Sequence, residues 1–211
     1  MADESQKEEI LINVTPSEVR AALLENGVLQ EVYIERAAFR GLISNIYKGR
    51  VMRVLPGMQA AFIDIGLERT AFLHASDIAK VKLAEDPEQV PNIRDLVREG
   101  DEIMVQVVKD PLGNKGARLT TYITLPSRHL VLLPRSNTVG VSARIEDEQE
   151  RDRLRVMVEE LLAEQDLDCG AIVRTVAEGA GKDALAADLR YSLKLWADVK
   201  EQCNKRSVKS L

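Results

Sequence analysis

The hydrophobic pattern of the first forty residues predicts short β-strands. An apolar run from Ile10 to Val14 is followed by two further runs on either side of Asn26-Gly27. This dipeptide suits a two-residue hairpin turn, because both of its residues tolerate positive φ. Thr15-Pro16-Ser17-Glu18 supports the alternative of a helix start, with a capping residue, Pro at the first helical position and a Glu further on. The β-branched and aromatic content of Val28 to Ile34 favours the hairpin.

The middle of the chain predicts a five-stranded barrel. Short apolar runs alternate there with turn signals, and a polar stretch with two prolines, Ala79 to Asn92, separates the third run from the fourth. This arrangement is typical of an OB-fold, whose third and fourth strands are joined by a long connection. The five runs are Asn45 to Val54, Ala60 to Ile65, Ala71 to Leu73, Glu102 to Val108 and Arg118 to Leu125.

The last third mixes strands with two longer amphipathic helices. Apolar runs at His129 to Leu133 and Ala171 to Val176 predict strands, and a 3.6-residue period predicts helices over Asp147 to Gln165 and Asp183 to Cys203. Trp196 falls on the apolar stripe of the second helix, which indicates core packing rather than a surface platform. The whole pattern predicts an α+β protein.

Composition and charge say little about the partner. The chain has 211 residues, of which 45% are hydrophobic, enough for one large core or several small ones. Its net charge of -5 argues against a nucleic-acid partner, yet residues 40 to 125 hold 12 basic and 11 acidic side chains. Phosphate binding depends on where the cations cluster and not on their total. The charge balance therefore leaves an RNA partner open.

The chain carries no signal for export or membrane insertion. Met1 to Glu9 is acidic and polar, without the features of a signal peptide, and is predicted to be a disordered tail. No apolar run approaches the roughly 20 residues that span a bilayer, so we expect a cytoplasmic protein with no membrane partner. Cys169 and Cys203 lie far apart and outside any metal-binding spacing, which favours packing roles for both.

Two aromatic residues are the first candidates for ligand contact. Phe62 and Phe72 fall on the second and third predicted barrel strands, the face that OB-folds commonly use for oligonucleotides. Bases of a single strand could stack on them, or the rings could simply fill the barrel; the pattern leaves both open. Basic or polar residues on the first, fourth and fifth strands could reach phosphates: Tyr47, Lys48, Arg50, Arg53, Lys109, Arg118, and Lys115 in the tight turn Gly113 to Gly116.

A second candidate is a phosphate site at Arg174-Thr175. The planar donors of an arginine beside a hydroxyl suit a terminal monophosphate, although the local sequence alone favours an ordinary surface ion pair for Arg174. Hydrolytic chemistry has no comparable motif. His74 and His129 have no nucleophile motif beside them, and the carboxylates of Asp64 and Asp77 are isolated, so no catalytic residue is predicted.

Long motifs resemble the ribonuclease E/G family. They are Asn45-Ile46-Tyr47-Lys48-Gly49-Arg50-Val51, Leu55-Pro56-Gly57-Met58-Gln59-Ala60-Ala61-Phe62-Ile63-Asp64-Ile65-Gly66, Phe72-Leu73-His74-Ala75-Ser76-Asp77-Ile78, Val105 to Gly113 and Lys115 to Thr121. The resemblance implies that residues 1 to 9 are a tail and that 10 to 40 begin a ribonuclease H-like subdomain. An OB-fold over 41 to 121 and a sensor of the RNA 5′ end over 122 to 211 would follow.

The resemblance also assigns roles to residues. It implies RNA contacts for Phe62, Phe72 and Lys115. It places a 5′-monophosphate pocket at Arg174 and Thr175, with main-chain help near Val131. Two positions depart from one branch of the family: Ser127 stands where that branch has Gly, and Arg144 follows Ala143 where it has two adjacent arginines.

For the whole protein, the resemblance implies a magnesium-dependent endoribonuclease that acts in ribosomal RNA maturation and messenger RNA decay. It further implies single-stranded RNA as partner, a homo-oligomer and a structural zinc. The metal-binding aspartates and the zinc cysteines of the family lie downstream of the motifs found here, so this segment is expected to need no cofactor, to bind RNA and not to cleave it. A freestanding OB-fold RNA-binding adaptor without nuclease activity is the alternative.

Overall fold

A computed structural model describes residues 7–78, 91–164 and 169–211, and the chain divides into two units, residues 1–42 and 43–211. Most of the predicted tail and most of the predicted connection, residues 79–90, lie outside the described residues. None of the helices that the structure describes is long and apolar enough to cross a membrane.

The first unit is a three-stranded antiparallel sheet. Its strands are β1 (Glu8–Val14), β2 (Glu18–Glu25) and β3 (Val28–Arg36), in that order. Asn26 and Gly27 both have positive φ, 51° and 79°, which confirms the predicted hairpin turn. Thr15 closes the preceding connection, because its hydroxyl accepts from the Glu18 N–H and donates to the Glu18 carbonyl. The helix that competed for this segment does not form.

Apolar side chains are exposed on both faces of this sheet. Ile10 and Ile12 are 68% and 67% exposed, and Leu11, which points to the opposite face, is 58% exposed. The same holds along β3, where Tyr33 and Ile34 are both more than half exposed. The unit therefore has hydrophobic side chains for a core but does not bury them.

The second unit begins with a closed barrel, as predicted. Its strands are β4 (Ile46–Leu55), β5 (Ala60–Asp64), β6 (Ala71–His74), β7 (Glu102–Lys109) and β8 (Arg118–Thr120), in the order β4-β5-β6-β8-β7. Along each strand, every second side chain points into the interior of the barrel. These inward side chains are small or branched and buried, and they include Val51, Ala61, Ile63, Leu73, Val105 and Leu119. A short helix, α1 (Ile93–Leu96), follows the undescribed connection and is capped by the Asn92 side chain.

The barrel closes where β6 and β8 pair in parallel, and the residues just before the two strands approach closely. A Cβ atom on Gly116 would lie 1.9 Å from the Thr70 carbonyl oxygen, so only glycine fits there. The predicted fifth strand was too long, because β8 ends at Thr120. Leu125 and Pro126 form a separate strand, β9 (Leu125–Pro126), in the next sheet.

The rest of the unit is a four-stranded sheet with two helices. The sheet order is β11-β12-β10-β9, with β10 (Leu130–Leu133), β11 (Val139–Val141) and β12 (Gly170–Val173). Helices α2 (Glu148–Ala163) and α3 (Lys182–Lys205) cover one face and share its core, which includes Leu132, Ile145, Leu154, Val158, Leu185 and Leu189. Trp196 packs against this core, as predicted.

Gln106 and the segment after α3 help to join the barrel to the sheet-and-helix region. Gln106 of β7 is buried, and its amide group donates to the carbonyls of Ser44 and Thr124 and accepts from the Thr124 N–H and hydroxyl. After α3, Ser210 forms an antiparallel bridge with Lys48 of β4, and the Lys209 ammonium lies 2.7 Å from Asp64 Oδ2. The hydrogen bond from Lys209 lowers the pKa of Asp64.

Candidate nucleic-acid interface

Three rings form a row on the outer surface of the barrel. Phe62 and Phe72 face each other across β5 and β6, with ring centroids 6.2 Å apart and planes at 69°. Both side chains are half-buried, and their strand neighbours Ile63 and Leu73 point inward. The rings therefore do not fill the barrel, which was the alternative that the sequence left open. They offer an aromatic surface of the kind on which nucleobases stack.

His74 extends this row and was not predicted as part of it. Its ring lies 6.5 Å from that of Phe72, two residues earlier on the same face of β6. The His74 Nδ1 atom lies 2.8 Å from the Ser76 hydroxyl, which fixes the plane of the imidazole. The alternation Phe72-Leu73-His74 is the signal that could have revealed it, because strand residues two apart share a face.

Cations flank the aromatic row. Arg53 is paired with Phe62 across β4 and β5 and is exposed. Arg118 is paired with Phe72 across β6 and β8, and both its Nε and Nη2 atoms donate to Asp77 Oδ2, at 3.0 and 2.9 Å. The Arg118 guanidinium is thus held beside the rings by an acidic residue, an arrangement that the sequence did not indicate.

Lys48 and Arg50 are engaged elsewhere. Both contact Glu102 of the neighbouring strand β7, at 3.2 and 3.1 Å, and the hydrogen bonds from Lys48 and Arg50 lower the pKa of that carboxylate. The Lys48 ammonium also donates to the Arg206 carbonyl. These two predicted RNA contacts are already partly neutralised, and Lys48 anchors the segment that follows α3.

Lys115 lies in a tight turn between β7 and β8. The turn is closed by two backbone hydrogen bonds between Leu112 and Lys115, and Gly113 adopts a positive φ. Arg69, which lies between β5 and β6, donates to the Gly113 carbonyl and so links the turn to that segment. The Lys115 side chain is exposed at this end of the barrel, as expected for a residue presented by a turn.

Arg174 and Thr175 lie at the end of β12, which stops at Val173 and not at Val176 as predicted. The chain turns there into a 3-10 helix over Thr175–Ala177, so the two side chains leave the sheet edge. Arg174 is exposed and its guanidinium donates to the main-chain carbonyls of Ser127 and Arg128. The Thr175 hydroxyl lies 2.9 Å from that of Ser142.

The turn that holds Arg174 is itself held from α3. Asp188 accepts hydrogen bonds at one carboxylate oxygen from the Ser127 hydroxyl (2.6 Å) and from the N–H groups of His129 (2.8 Å) and Leu130 (2.9 Å). Burial alone would raise the pKa of Asp188, but these hydrogen bonds, with one from the Arg128 N–H, outweigh burial and lower it. Ser127 thus directs its hydroxyl to a carboxylate.

Val131 and Arg144, the remaining predicted members of the phosphate site, lie on different elements. Val131 is in β10, opposite Ile172 of β12. Arg144 is exposed in the turn after β11, where its N–H donates to the Ser142 hydroxyl that also meets Thr175. Ser142 and Asp188 are residues that sequence reasoning missed, because their partners are distant in the chain.

The loop after Thr175 is fixed by an ion pair on α2. Glu150 accepts from the Gly179 N–H at 2.8 Å and pairs with Arg153, which also donates to the Ala180 carbonyl. The hydrogen bond from Arg153, followed by that from Gly179, lowers the pKa of Glu150 to about 2. The carboxylate therefore stays charged through the whole neutral and mildly acidic range.

The residues that the structure describes hold no group of three or more His, Cys, Asp or Glu side chains placed to share a metal ion. Neither Cys169 nor Cys203 forms a disulfide in the part of the chain that the structure describes.

Family models match both halves of the second unit. Residues 43–121 match the S1 RNA binding domain, which covers the barrel and its aromatic row. Residues 124–211 match the ribonuclease E/G family, which covers the sheet, the helices and the Arg174 site. The chain belongs to the ribonuclease E/G family.

Within that family the chain is similar to ribonuclease G. It is 57% identical to ribonuclease G of Escherichia coli (strain K12) over 92% of this chain and 40% of that protein. It is 56% identical to ribonuclease G of Haemophilus influenzae over 96% of this chain and 42% of that protein. Ribonuclease E of Escherichia coli (strain K12) is 39% identical over 93% of this chain and 19% of that protein. The chain spans about two fifths of the length of the ribonuclease G proteins that it matches.

Proposed function

We propose that this chain is the RNA-binding part of an endoribonuclease of this family, which holds single-stranded RNA on the barrel and recognises a 5′-monophosphate at Arg174. The observation that carries the proposal is the outward-facing aromatic row in a domain that matches an RNA-binding model. The relatives that support it are themselves named ribonucleases.

The barrel suits a single strand of any sequence. Every base has a flat face that can stack on Phe62, Phe72 or His74, and such stacking requires no hydrogen-bond readout. Arg53 and Lys115 supply positive charge around the row, which suits the phosphates between stacked bases. Arg118 lies beside the rings but is paired with Asp77, which partly neutralises it. The contribution of this half to catalysis is to hold the strand in place, since positioning alone removes much of the entropic cost of a reaction.

The site at Arg174 suits a terminal phosphate. A 5′-monophosphate carries more negative charge than an internal diester, and an arginine beside hydroxyl groups binds it with charge-assisted hydrogen bonds. Arg174 is exposed, and its guanidinium donates to main-chain carbonyls. Among the described residues no carboxylate is paired with it. We propose Thr175, Ser142 and Arg144 as its neighbours in phosphate binding, with Val131 and Ser127 bordering the site.

We further propose that the three-stranded sheet of the first unit belongs to a ribonuclease H-like subdomain completed by residues outside this chain. Its exposed apolar side chains on both faces support this, because a three-stranded sheet needs a packed face for stability. In the whole protein we propose magnesium-dependent cleavage, a structural zinc, a homo-oligomer and a cytoplasmic role in ribosomal RNA maturation and messenger RNA decay.

Binding measurements separate the two sites. A short AU-rich RNA labelled at its 3′ end, with either a 5′-monophosphate or a 5′-hydroxyl, is titrated with the 211-residue chain and its variants while anisotropy is recorded. Replacing both Phe62 and Phe72 by Ala is expected to weaken both RNAs. Arg174→Ala is expected to weaken only the phosphorylated RNA, and Arg190→Ala, an exposed arginine of α3, serves as its control.

Each half of the proposal has its own contradicting result. Equal affinity of the native chain for the two RNAs would remove the 5′-phosphate role of Arg174. Unchanged RNA affinity in the double aromatic variant would contradict the RNA-binding role of the barrel surface. Incubation of the same RNA with the chain and Mg²⁺ is expected to leave it intact, and reproducible cleavage would contradict the division between binding and catalysis.

A further inference from the structure

Asp188 and Arg174 contact the same turn from opposite sides. The turn runs from Ser127 to Leu130 and is closed by the Ser127 N–H, which donates to the Leu130 carbonyl at 2.8 Å. Asp188 accepts from the N–H groups of this turn, and Arg174 donates to its carbonyls. The two charged side chains thus share a partner without being paired with each other in the structure.

Three consecutive peptide groups connect the two residues. The group between Ser127 and Arg128 directs its carbonyl to the Arg174 guanidinium and its N–H to Asp188. The next group directs the Arg128 carbonyl to the same guanidinium, at 3.3 Å, and the His129 N–H to Asp188, at 2.8 Å.

The third group follows the same pattern with the main chain of Arg174. The His129 carbonyl accepts from the Arg174 N–H at 2.8 Å, and the Leu130 N–H donates to Asp188 at 2.9 Å. Two of the three carbonyls that meet Arg174 therefore belong to peptide groups whose N–H donates to Asp188. The N–H of the third group, that of Arg128, contributes to the lowered pKa of Asp188.

This arrangement has a physical consequence for Arg174. A trans peptide group is planar and its N–H and C=O bonds point in opposite directions, so fixing one end fixes the other. An anion at the N–H end also polarises the group and strengthens the hydrogen bond that its carbonyl accepts. Asp188 thereby orients the guanidinium and leaves its charge available, whereas a carboxylate in direct contact would compete with an incoming phosphate.

We propose that Asp188 is a positioning residue for 5′-phosphate recognition, acting on Arg174 through the peptide groups of the 127–130 turn. The proposal rests on the proposed function of Arg174 and adds a residue on a different element, α3. It accounts for the Ser127 hydroxyl as well, since that group is one of the donors that hold the Asp188 carboxylate.

The test compares variants of Asp188 in the 211-residue chain by the ratio of dissociation constants for 5′-hydroxyl and 5′-phosphorylated RNA. Asp188→Ala is expected to lower this ratio at least fivefold while changing the affinity for 5′-hydroxyl RNA less than twofold. Asp188→Asn keeps an acceptor oxygen and is expected to retain most of the ratio. Asp198→Ala, which removes an exposed aspartate from the same helix, is expected to leave the ratio unchanged.

Amide exchange supplies a readout that does not depend on RNA. Exchange at the His129 and Leu130 N–H groups, followed by NMR, is expected to be at least tenfold faster in Asp188→Ala than in the native chain. A general loss of stability would speed exchange throughout the sheet and weaken both RNAs alike. Should Asp188→Ala fail to fold, Asp188→Glu, which shifts the carboxylate by one methylene, is expected to fold and to lower the ratio at least threefold.

The outcomes separate the two proposals. A native ratio of one contradicts 5′-phosphate recognition itself, whatever the exchange rates. If the native chain prefers 5′-phosphorylated RNA and Asp188→Ala keeps this preference, the role of Asp188 is overturned and that of Arg174 stands. Where Asp188→Ala does not fold, the same result in Asp188→Glu has the same meaning. Unchanged exchange at His129 and Leu130 in the folded variant overturns the physical basis of the proposal.

Discussion

Gly116, just before β8, is a position of the barrel at which no side chain fits. In Gly116→Ala the new methyl group would lie 1.9 Å from the Thr70 carbonyl oxygen and 2.9 Å from the Thr70 carbonyl carbon. Contacts of this kind are not found below 3.0 Å, so the two backbones must separate by about 1 Å. Thr70 cannot move alone, because it directly precedes the buried residue Ala71 of β6.

The cost can be estimated from overpacked cores. Forcing a methyl group into filled space, with the side-chain and backbone shifts that this requires, costs about 1–3 kcal/mol. In a domain of 150–250 residues, each kcal/mol lowers the melting temperature by about 2–4 °C. Gly116→Ala is therefore expected to melt about 2–12 °C below the native chain. Because β6 carries Phe72, it is also expected to bind single-stranded RNA more weakly.

Thermal unfolding followed by circular dichroism provides the assay, with Gly57→Ala as the matched control. A Cβ atom on Gly57 has no heavy atom within 4 Å. The control is expected to melt within about 2 °C of the native chain, since it neither clashes nor disturbs a strand pair. If Gly116→Ala melts together with Gly57→Ala, the segments that lead into β6 and β8 are farther apart than in the structure.

Substitutions can test three further contacts, those of Phe72, Glu150 and Gln106. Phe72→Ala is expected to weaken single-stranded RNA binding by about 5- to 150-fold. The effect should exceed that of Phe62→Ala, because Phe72 lies between the other two rings. Anisotropy measures the affinity, and the control variant Tyr191→Ala on α3 is expected to bind as the native chain does. Glu150→Gln is expected to lose about 1 kcal/mol of stability near pH 7. Because the folded pKa of Glu150 is lowered to about 2, this loss should be complete above its unfolded pKa and should disappear as the pH falls towards 2. Urea unfolding at several pH values tests this, and a difference that grows at low pH would contradict it. Gln106→Leu leaves the Thr124 N–H and two carbonyls without their partner. It is expected to lower the free energy of unfolding by about 1–3 kcal/mol, as measured with urea. A decrease below about 0.5 kcal/mol would show that water replaces the amide.

Local patterns were sufficient for most strands and helices. The Asn26-Gly27 turn, the first four barrel strands and the two long helices all have signals within a few neighbouring residues. The predictions failed where the length of a strand depends on the partner strand with which it pairs. Arg118 to Leu125 reads as one apolar run, but β8 pairs only as far as Thr120 and β9 pairs with β10 instead.

Two short elements had too little sequence to be recognised. β11 has three residues, Val139–Val141, and exists because β12 offers it a parallel edge. α1 has only four residues, which is about one helical turn. Residues Arg174 to Val176 looked like a continuation of β12, yet the chain leaves the sheet there and forms a 3-10 helix.

The candidate site divides in the same way. The position of Phe62 and Phe72 on neighbouring strands followed from the alternation of apolar residues, and the structure confirms that the two rings meet. Which cations remain available could not be read from the chain, because Glu102 is more than fifty residues from Lys48 and Arg50. The link from Asp188 to the 127–130 turn likewise spans about sixty residues.

The bridge between Lys48 and Ser210 brings together two points that are far apart in the chain. The Lys48 N–H donates to the Ser210 carbonyl, and the Lys209 N–H donates to the Lys48 carbonyl, so backbone near the start of the second unit lies beside its last residues. A contact between residues this far apart in the chain closes a long loop, so we expect it to form late in folding, after the local contacts of the barrel and of α3. The bridge therefore links the folding of the barrel to that of the sheet-and-helix region.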